Sequence, residues 1–537
     1  MGEWHTIGAL VRWSAARHAD REAVVEGRTR ITYAALGARI ERAAAACLAS
    51  GVAAGDRVAV WAPNSLDWIV AALGAVSAGG VLVPLNTRFK GGEAVDVLCR
   101  SGARLLFVTG PFLGTSYVAA LRRAAHSGAG PGPLPGVPAL REVVVLSGEA
   151  PPEFRTWREF LEAGEGVGAA EVDRRASSLA GDSVSDIVFT SGTTGRPRGV
   201  VITHGQTLRA YETWADLAGL RPADRYLIVN PFFHTFGYKA GVLACLMRGA
   251  TMIPQPVFDV DTTLAHMAAE RVSVLPGPPT LHQSLLDHPA LAAHDLGALR
   301  LVVTGAAMIP LSLVERLRAE LGVETVLTAY GLSEASGMVT MCRRGDDPSV
   351  IAATSGRAIP GVEVRVVSPA GAPLPAGSPG EIWVRGFNVM RGYDADGPAT
   401  AEAVTPEGWL RTGDVGVLDG AGNLRVTDRL KDMFTVGGFN AYPAEIERLL
   451  CAHPEVADAA VVGVPHPRLG EVAKAYIVRR PASRLTATAL ITWSRHAMAN
   501  YKVPREVRFV RELPRNASGK VVKGVLRGRS PDDPSGR

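Results

Sequence analysis

Residues 190–199 read Thr190-Ser191-Gly192-Thr193-Thr194-Gly195-Arg196-Pro197-Arg198-Gly199 and are flanked by the apolar runs Ile187-Val188-Phe189 and Val200-Val201-Ile202. Glycines let backbone N–H groups approach an anion closely, hydroxyls add neutral donors, and arginines add positive charge. The β-branched runs predict a strand on each side. The stretch therefore predicts a phosphate-holding loop between two strands.

Two other structures are compatible with parts of this loop sequence and differ in what they require. A P-loop requires G-x-x-x-x-G-K-[ST] at the start of a helix, and that string does not occur in the chain. An ordinary polar turn is equally compatible with a Ser/Thr/Gly run taken alone. The choice depends on motifs further along the chain.

Composition restricts the function classes. The chain has 537 residues, 47% of them hydrophobic and 20% charged, which indicates a globular protein of several domains. Its net charge of +5 is small for this length and the arginines are scattered, so nucleic acid is not an expected partner. Five widely spaced cysteines without a C-x-x-C pair predict reduced thiols rather than a zinc site.

The sequence also predicts a cytoplasmic location. The residues after Met1 lack the basic and apolar regions of a signal peptide. The apolar stretch 68–85 is interrupted by Ser77 and Gly79-Gly80, which predicts a buried helix and strand instead of a membrane span. No integral membrane association is therefore expected.

The order of patterns predicts an α/β fold. Apolar β-branched runs alternate with Ala/Leu/Arg-rich helical stretches over most of the chain. From about residue 356 to residue 428 the sequence pattern changes to that of short strands separated by Pro/Gly turns, which predicts a β-rich subdomain. A compact α/β segment follows, so we place a domain boundary near Lys431, between residues 1–430 and 431–537, with a disordered tail from Arg529.

Three further motifs bear on the phosphate loop. Tyr330-Gly331-Leu332-Ser333-Glu334 combines an aromatic face, a hydroxyl and a carboxylate, which suit adenine and magnesium. Asp414, with Arg429 further along, suits ribose hydroxyls or phosphate. The turn Asn516-Ala517-Ser518-Gly519-Lys520 presents a lysine. Each motif alone would be a surface turn or a solvated charge.

Together, in this order and spacing, the four motifs resemble the adenylate-forming superfamily, and within it the acyl-CoA synthetases. The resemblance extends from Tyr33 to Lys520. It implies a large N-terminal domain of stacked α/β layers with a β-rich subdomain, and a small mobile α/β C-terminal domain that swings about a hinge at Lys431.

The resemblance also assigns roles to residues. The implied catalytic residues are Lys520, Glu334, His234 and Arg429. The implied ATP-binding residues are Thr190, Ser191, Gly192, Thr193, Thr194, Gly195, Arg198, Tyr330, Gly331, Ser333, Asp414 and Arg429. Glu334 and Thr193 are the implied contacts of a magnesium ion. Arg198 and Ser333 stand where the family more often has lysine and threonine, which preserves the charge and the hydroxyl.

The implied reaction has two halves and uses ATP, Mg²⁺ and coenzyme A (CoA). A carboxylate first attacks ATP to give an acyl-adenylate and pyrophosphate, while Lys520 stabilises the meeting anions. The small domain then rotates and brings Gly437 and Gly438 to the pantetheine arm, because glycines allow close backbone passage.

The implied acyl pocket comprises Phe236, Gly237, Gly305, Ala306 and Ala307. Its small residues suggest space for a broad ligand, and the segment 231–241 has no acidic side chain to pair with an amino group. His234 is either a gate beside the carboxylate or a packed histidine.

Residues 230–241 and 435–443 look most like those of actinobacterial ligases for ring-bearing propanoates from steroid breakdown. The expected substrate is therefore a bulky alicyclic acid derived from a steroid or terpenoid.

Two other functions are compatible with parts of the sequence pattern. The same motifs would serve an acyl-AMP ligase that loads a carrier protein, although the chain lacks the long insertion ahead of the hinge that marks one such branch. A nucleotide-binding regulator without catalysis would not need Glu334, Asp414, Arg429 and Lys520 together. A homodimer is compatible with the resemblance.

Overall fold

The structure is a computed structural model. It describes residues 4–125, 132–190, 197–305, 309–429, 432–436, 439–466, 469–498, 500–516 and 520–528. None of the helices in these ranges is both long and apolar enough to cross a membrane.

The strands in the described ranges are, in chain order, β1 (Glu22–Glu26), β2 (Thr29–Thr32), β3 (Arg57–Trp61), β4 (Val81–Pro84), β5 (Leu105–Thr109), β6 (Pro111–Phe112), β7 (Thr115–Ser116), β8 (Glu142–Ser147), β9 (Arg155–Thr156), β10 (Val184–Thr190), β11 (Arg198–Thr203), β12 (Arg225–Ile228), β13 (Thr251–Pro254), β14 (Val274–Gly277), β15 (Leu301–Gly305), β16 (Thr325–Tyr330), β17 (Thr340–Met341), β18 (Arg357–Ala358), β19 (Val362–Val367), β20 (Gly380–Gly386), β21 (Gly392–Tyr393), β22 (Leu410–Leu418), β23 (Leu424–Arg429), β24 (Phe434–Val436), β25 (Phe439–Ala441), β26 (Val456–His466), β27 (Gly470–Arg479) and β28 (Glu506–Val510).

The α-helices are α1 (Ile7–Arg17), α2 (Tyr33–Ala49), α3 (Leu66–Ser77), α4 (Gly91–Ser101), α5 (Tyr117–Ala125), α6 (Trp157–Ala163), α7 (Ala169–Ser177), α8 (His204–Ala218), α9 (Thr235–Gly237), α10 (Ala244–Arg248), α11 (Val260–Ala269), α12 (Pro279–Leu286), α13 (Leu311–Leu321), α14 (Pro348–Ala353), α15 (Gly397–Ala403), α16 (Pro443–Cys451), α17 (Ala487–Ala497) and α18 (Lys523–Arg527). A π-helix, Tyr238–Leu243, joins α9 to α10, and 3-10 turns cover Gly164–Gly166, Leu291–Ala293 and Ser333–Ala335.

Two large sheets form the N-terminal part. In the described ranges one has nine strands in the order β18-β17-β16-β15-β14-β12-β13-β1-β2, and the other has eight in the order β21-β11-β10-β4-β3-β5-β8-β9. Val58 and Val60 of β3 enter a core shared by both sheets and by α1–α3, α8 and α10. Ala59 and Trp61 enter a second core with α4 and α5. The alternation follows from the pleat of a strand buried on both faces.

Two smaller sheets follow. Strands β19, β20, β22 and β23 form an antiparallel sheet, which accounts for the change to short strands and turns in the sequence. Strands β24–β28 form the C-terminal sheet, which has hydrophobic cores of its own with α16, α17 and α18. The predicted α/β fold with a large N-terminal and a small C-terminal part is confirmed. The boundary predicted at Lys431 lies outside the described residues.

Asn64 fixes the turn that leads from β12 toward the predicted acyl segment. Its side-chain NH₂ donates to the backbone carbonyls of Ile228, Asn230 and Gln255 at 2.9–3.2 Å. Its Oδ1 accepts from the backbone N–H of Phe232 at 2.8 Å. Asn64 is buried, so these groups have little access to water. One side chain therefore satisfies several buried backbone groups at the end of β12.

Asn64→Ala should lower the free energy of unfolding by about 3 kcal/mol, because it leaves buried backbone groups without partners. Urea unfolding measures the change. Asn86→Ala is the matched control, since within the described residues the Asn86 side chain bonds only the exposed N–H of Arg88. This variant should lower the free energy of unfolding by about 0.5 kcal/mol or less. Equal losses in the two variants would contradict the anchoring role of Asn64.

Candidate active site

The carboxyl ends of parallel strands gather several predicted site residues at one edge of the nine-stranded sheet. Strands β14, β15 and β16 are parallel neighbours, and Gly305 at the end of β15 is in register with Ala329. Tyr330 ends β16, and His234 follows β12 after a short turn. Ligands of open α/β sheets bind at such an edge. The topology thus collects residues that are nearly a hundred positions apart.

The phosphate-loop segment joins two strands, as predicted. Strands β10 and β11 are antiparallel, and Thr190 is in register with Arg198. Ser191, Gly192, Thr193, Thr194, Gly195 and Arg196 lie outside the described residues, so their predicted contacts with phosphate and metal stay predictions. Thr190 reaches the second motif, because its hydroxyl donates to Glu334 Oε1 at 3.4 Å.

Tyr393 links Glu334 to the phosphate-loop strand. Its hydroxyl donates to Glu334 Oε1 at 3.2 Å, and the Arg198 guanidinium lies 5.3 Å from the centre of its ring. Burial, followed by the charge of Glu334, raises the pKa of Tyr393 above its ordinary value. The phenol therefore stays protonated as a donor to the carboxylate. Sequence reasoning missed Tyr393, because its strand β21 pairs with β11 only through tertiary structure.

Tight backbone contacts shape the loop that carries Glu334. A Cβ at Gly331 would lie 2.0 Å from the carbonyl oxygen of Gly337, so only glycine fits. Ser336 adopts φ 55°, a left-handed conformation uncommon for a residue with a side chain, and its hydroxyl donates to the Asn388 carbonyl at 2.8 Å. Ser333 begins the 3-10 turn that contains Glu334. The position of Glu334 is therefore fixed by backbone packing.

The adenine and ribose candidates meet through Tyr330 and Asp414. The Tyr330 hydroxyl donates to Asp414 Oδ2 at 2.6 Å, although the residues are 84 positions apart. Asp414 is 4% exposed, and its backbone pairs with that of Arg429 across β22 and β23. The side chain of Arg429 is outside the described set. The contact brings together two motifs that sequence spacing alone could not join.

The charge of Lys520 acts on His234. Burial lowers the pKa of His234 to about 4, and the positive charge of Lys520 adds to this effect. His234 Nδ1 accepts from the backbone N–H of Phe236 at 3.3 Å, which leaves the proton of the neutral ring on Nε2. Asn516 Oδ1 accepts from the backbone N–H of Lys520 at 2.9 Å. A cation and a neutral donor thus share one region.

The predicted acyl segment is described in part. Phe236 is half-buried against the main core. A Cβ at Gly237 would lie 2.2 Å from the Pro231 carbonyl oxygen, and one at Gly305 would lie 3.0 Å from the Ala329 oxygen. These two glycines therefore allow close backbone packing, which differs from the predicted reason of leaving space for a ligand. Ala306 and Ala307 lie outside the described residues, as do Lys431, Gly437 and Gly438.

Comparison with known proteins identifies the family. The profile of the AMP-binding enzyme family matches residues 11–394, and that of the AMP-binding enzyme C-terminal domain matches residues 445–520. The chain belongs to the AMP-binding enzyme family. The predicted membership of the adenylate-forming superfamily is thereby confirmed.

Two similar proteins are named as CoA ligases. A Mycobacterium tuberculosis 3-[(3aS,4S,7aS)-7a-methyl-1,5-dioxo-octahydro-1H-inden-4-yl]propanoyl:CoA ligase is 50% identical over 98% of this chain and 99% of its own. A Rhodococcus jostii protein of the same name is 48% identical over 97% of this chain and 98% of its own. ATP-bound MatB from Rhodopseudomonas palustris has a TM-score of 0.82 at 30% identity and covers 97% of this chain and 98% of its own. The prediction of an ATP-dependent acyl-CoA ligase is confirmed.

For this AMP-binding enzyme, Tyr393→Phe should raise the KM for ATP about tenfold or more, the effect of one lost hydrogen bond to a charged group. The variant keeps the aromatic ring beneath Arg198 and removes only the hydroxyl that bonds Glu334. The KM for the acid should therefore stay within about twofold. Initial rates at varied ATP, with calorimetric ATP binding, measure the change. An unchanged ATP affinity would show that Tyr393 does not organise Glu334.

Buried neutral histidines should make the stability of this AMP-binding enzyme depend on pH. Burial is the main cause that lowers the pKa of His204, His234 and His282 from 6.5 to about 4. Between about pH 4 and pH 6.5 the unfolded chain binds protons at these histidines and the folded chain does not. The contribution of the histidines to stability therefore falls as the pH decreases from about 6.5 to about 4. Urea unfolding at about pH 7 and about pH 5 measures it. In His282→Asn, the slope of the unfolding free energy against pH should decrease by the equivalent of about one proton. An unchanged slope would contradict the assignment of His282 as a histidine that is neutral in the folded chain.

Proposed function

We propose that this enzyme joins a bulky, ring-bearing propanoate to CoA by way of an acyl-adenylate. The observation that carries the proposal is the similarity, over nearly the whole chain, to two relatives that are both named for a ring-bearing propanoyl group. The acyl segment supports it, since residues 231–241 contain no carboxylate that would bind a substrate amino group. A steroid- or terpenoid-derived acid is the proposed substrate class.

The nucleotide would bind along the contacts between motifs. Tyr330 would face the adenine, and Asp414 would accept hydrogen bonds from the ribose hydroxyls, assisted by Arg429. The 2.6 Å bond from Tyr330 orients the Asp414 carboxylate. Thr190, residues 191–195 and Arg198 would bind the β- and γ-phosphates through hydroxyls, backbone N–H groups and charge.

The residues around Glu334 fit a magnesium ion. Its carboxylate is approached by hydroxyls of Thr190 and Tyr393, and carboxylate and hydroxyl oxygens are the hard donors that magnesium prefers. Within the described ranges, no group of three or more His, Cys, Asp and Glu side chains could hold a metal ion. Glu334, together with Thr193, would therefore share the ion with the nucleotide phosphates. When bound, magnesium neutralises charge on the departing pyrophosphate.

In the first half-reaction, a carboxylate oxygen of the acid attacks the α-phosphorus of ATP, and the bond to pyrophosphate breaks. Two anions must approach each other, and the ammonium of Lys520 offsets their repulsion. Neutral His234 can donate from Nε2 to a carboxylate oxygen without adding a charge that would have to be moved. The pair therefore orients and stabilises the acid.

In the second half-reaction, the CoA sulfur loses its proton and attacks the acyl carbonyl, and the bond to AMP breaks. We propose that the small domain turns about Lys431 for this step, which withdraws Lys520 and brings Gly437 and Gly438 beside the thiol arm. The separate cores of the C-terminal sheet support movement of this part as one unit.

Lys520→Ala should slow adenylation by about a hundredfold or more, because it removes the charge that stabilises the meeting anions. Conversion of preformed acyl-adenylate to thioester should stay within about threefold. Quenched single-turnover assays measure the two halves separately. Lys523→Ala, which removes a lysine paired with Glu447 at 2.8 Å, is the matched control and should preserve both halves. Equal damage to both halves in Lys520→Ala would contradict the proposed alternation.

The function is tested by incubating the enzyme with ATP, magnesium and a panel of fatty, aromatic, steroid-derived and diterpenoid acids, with and without CoA. Mass spectrometry identifies the products. A ring-bearing acyl-CoA should dominate. Accumulation of acyl-adenylate that CoA leaves unchanged would instead favour transfer to a carrier protein, and a dominant linear fatty acyl-CoA would overturn the substrate class.

A further inference from the structure

Two short backbone arms, residues 514–516 and residues 520–522, hold Lys520 in the C-terminal part. The arms pair antiparallel, with Arg515 opposite Val521. Two further backbone hydrogen bonds of 2.8 Å join the arms, one on each side of this pair. Lys520 is exposed. The place at which its side chain begins is therefore set by where the arms lie.

An ion pair joins the first arm to the C-terminal sheet. The Arg515 guanidinium donates to Asp458 Oδ2 at 2.5 Å. Asp458 belongs to β26, and its Oδ1 accepts from the backbone N–H of Ala459 at 2.9 Å. Strand β26 pairs with β27 along nearly its whole length. The ion pair thus ties the arm that leads to Lys520 to a strand whose position is fixed.

Stability does not account for this ion pair. The Arg515 and Asp458 side chains are 28% and 36% exposed, and ion pairs open to water add little to the free energy of folding. The chain on either side of the arms is held by burial, since Leu513 and Leu526 lie in a core with Tyr476. The Tyr476 hydroxyl also donates to the Leu526 carbonyl at 2.8 Å. Loss of the ion pair should therefore leave the C-terminal part folded and release only the arms.

The position of Lys520 matters more for the rate than the ion pair does for stability. In the proposed mechanism the Lys520 ammonium meets a carboxylate and a phosphate together, and a displacement of about 1 Å at such a site costs about a hundredfold in rate. A lysine reaches its target through a flexible stem, so the backbone must present that stem at a defined point. An anchor on the first arm would supply this point.

We propose that the Arg515–Asp458 ion pair is a positioning device for Lys520 and that it acts on adenylation alone. The inference rests on the proposed function, which gives Lys520 its role in that half-reaction. Because Lys520 is withdrawn for transfer to CoA, an error in its position should not affect the transfer. A direct effect of the Arg515 charge on ATP makes a different prediction. Removal of the Asp458 carboxylate would then leave adenylation unchanged or faster, since Arg515 stays positive.

The first test uses single substitutions. Arg515→Met keeps the length of the side chain, and Asp458→Ala removes the carboxylate at a partly exposed position. Each variant should slow adenylation about 10- to 100-fold in single-turnover assays, while conversion of preformed acyl-adenylate to thioester stays within about threefold. The urea midpoint of unfolding should change by about 0.5 M or less. Normal adenylation in Asp458→Ala would overturn the positioning role, whatever the rate of Arg515→Met.

The second test combines Arg515→Met with Asp458→Ala. If both substitutions act through one ion pair, the double variant should adenylate within about twofold of the slower single variant. Effects that multiply would show that the two side chains act separately, and they would overturn the inference.

Two further variants separate this inference from the proposed function. Lys474→Met with Glu506→Leu removes another ion pair of the C-terminal sheet, and both half-reactions should stay within about threefold of wild type. Slow adenylation in Lys520→Ala together with normal adenylation in Asp458→Ala would overturn the positioning role alone. Normal adenylation in Lys520→Ala would instead remove the proposed function of Lys520, and the inference with it.

Discussion

The chemistry of this enzyme requires two anions to meet, since a carboxylate must reach a phosphorus atom surrounded by phosphate oxygens. In water their repulsion and hydration would keep them apart. We propose that Lys520 supplies a cation for this meeting, and its charge acts on His234, whose pKa is lowered to about 4 mainly by burial. The hydroxyls of Thr190 and Tyr393 donate to Glu334, and Arg198 lies over the Tyr393 ring. The fold is arranged to hold these groups before the substrates arrive.

Strand ends and backbone contacts that are fixed by packing in the N-terminal part hold the site residues in place. Strands β12, β14, β15 and β16 pair in parallel within the nine-stranded sheet, so their carboxyl ends have defined positions. Backbone contacts at Gly331 and Gly237 leave no room for a side chain. Asn64 satisfies the backbone where β12 ends. Precision at the site therefore comes from backbone packing, and in the proposed mechanism the C-terminal part, which has cores of its own, adds Lys520.

Local patterns could be predicted from the sequence and distant contacts could not. The strands on either side of residues 191–196 depend on residues next to one another, and the prediction of these two strands is confirmed. The contact of Tyr330 with Asp414 spans 84 positions, and only the family resemblance suggested that they share a site. Tyr393 was missed, because its strand β21 meets β11 only in the folded chain. The sequence singled out Gly237, but its close backbone contact with Pro231 is visible only in the structure.

The fate of the carboxylate oxygen tests the central claim most directly. An acid labelled with heavy oxygen in both carboxyl positions would be converted to its CoA thioester, and the nucleotide and phosphate products would be analysed by mass spectrometry. Attack on the α-phosphorus predicts that AMP gains one labelled oxygen and that pyrophosphate gains none. Label in inorganic phosphate together with ADP would mean attack on the terminal phosphate, and it would contradict the adenylate account.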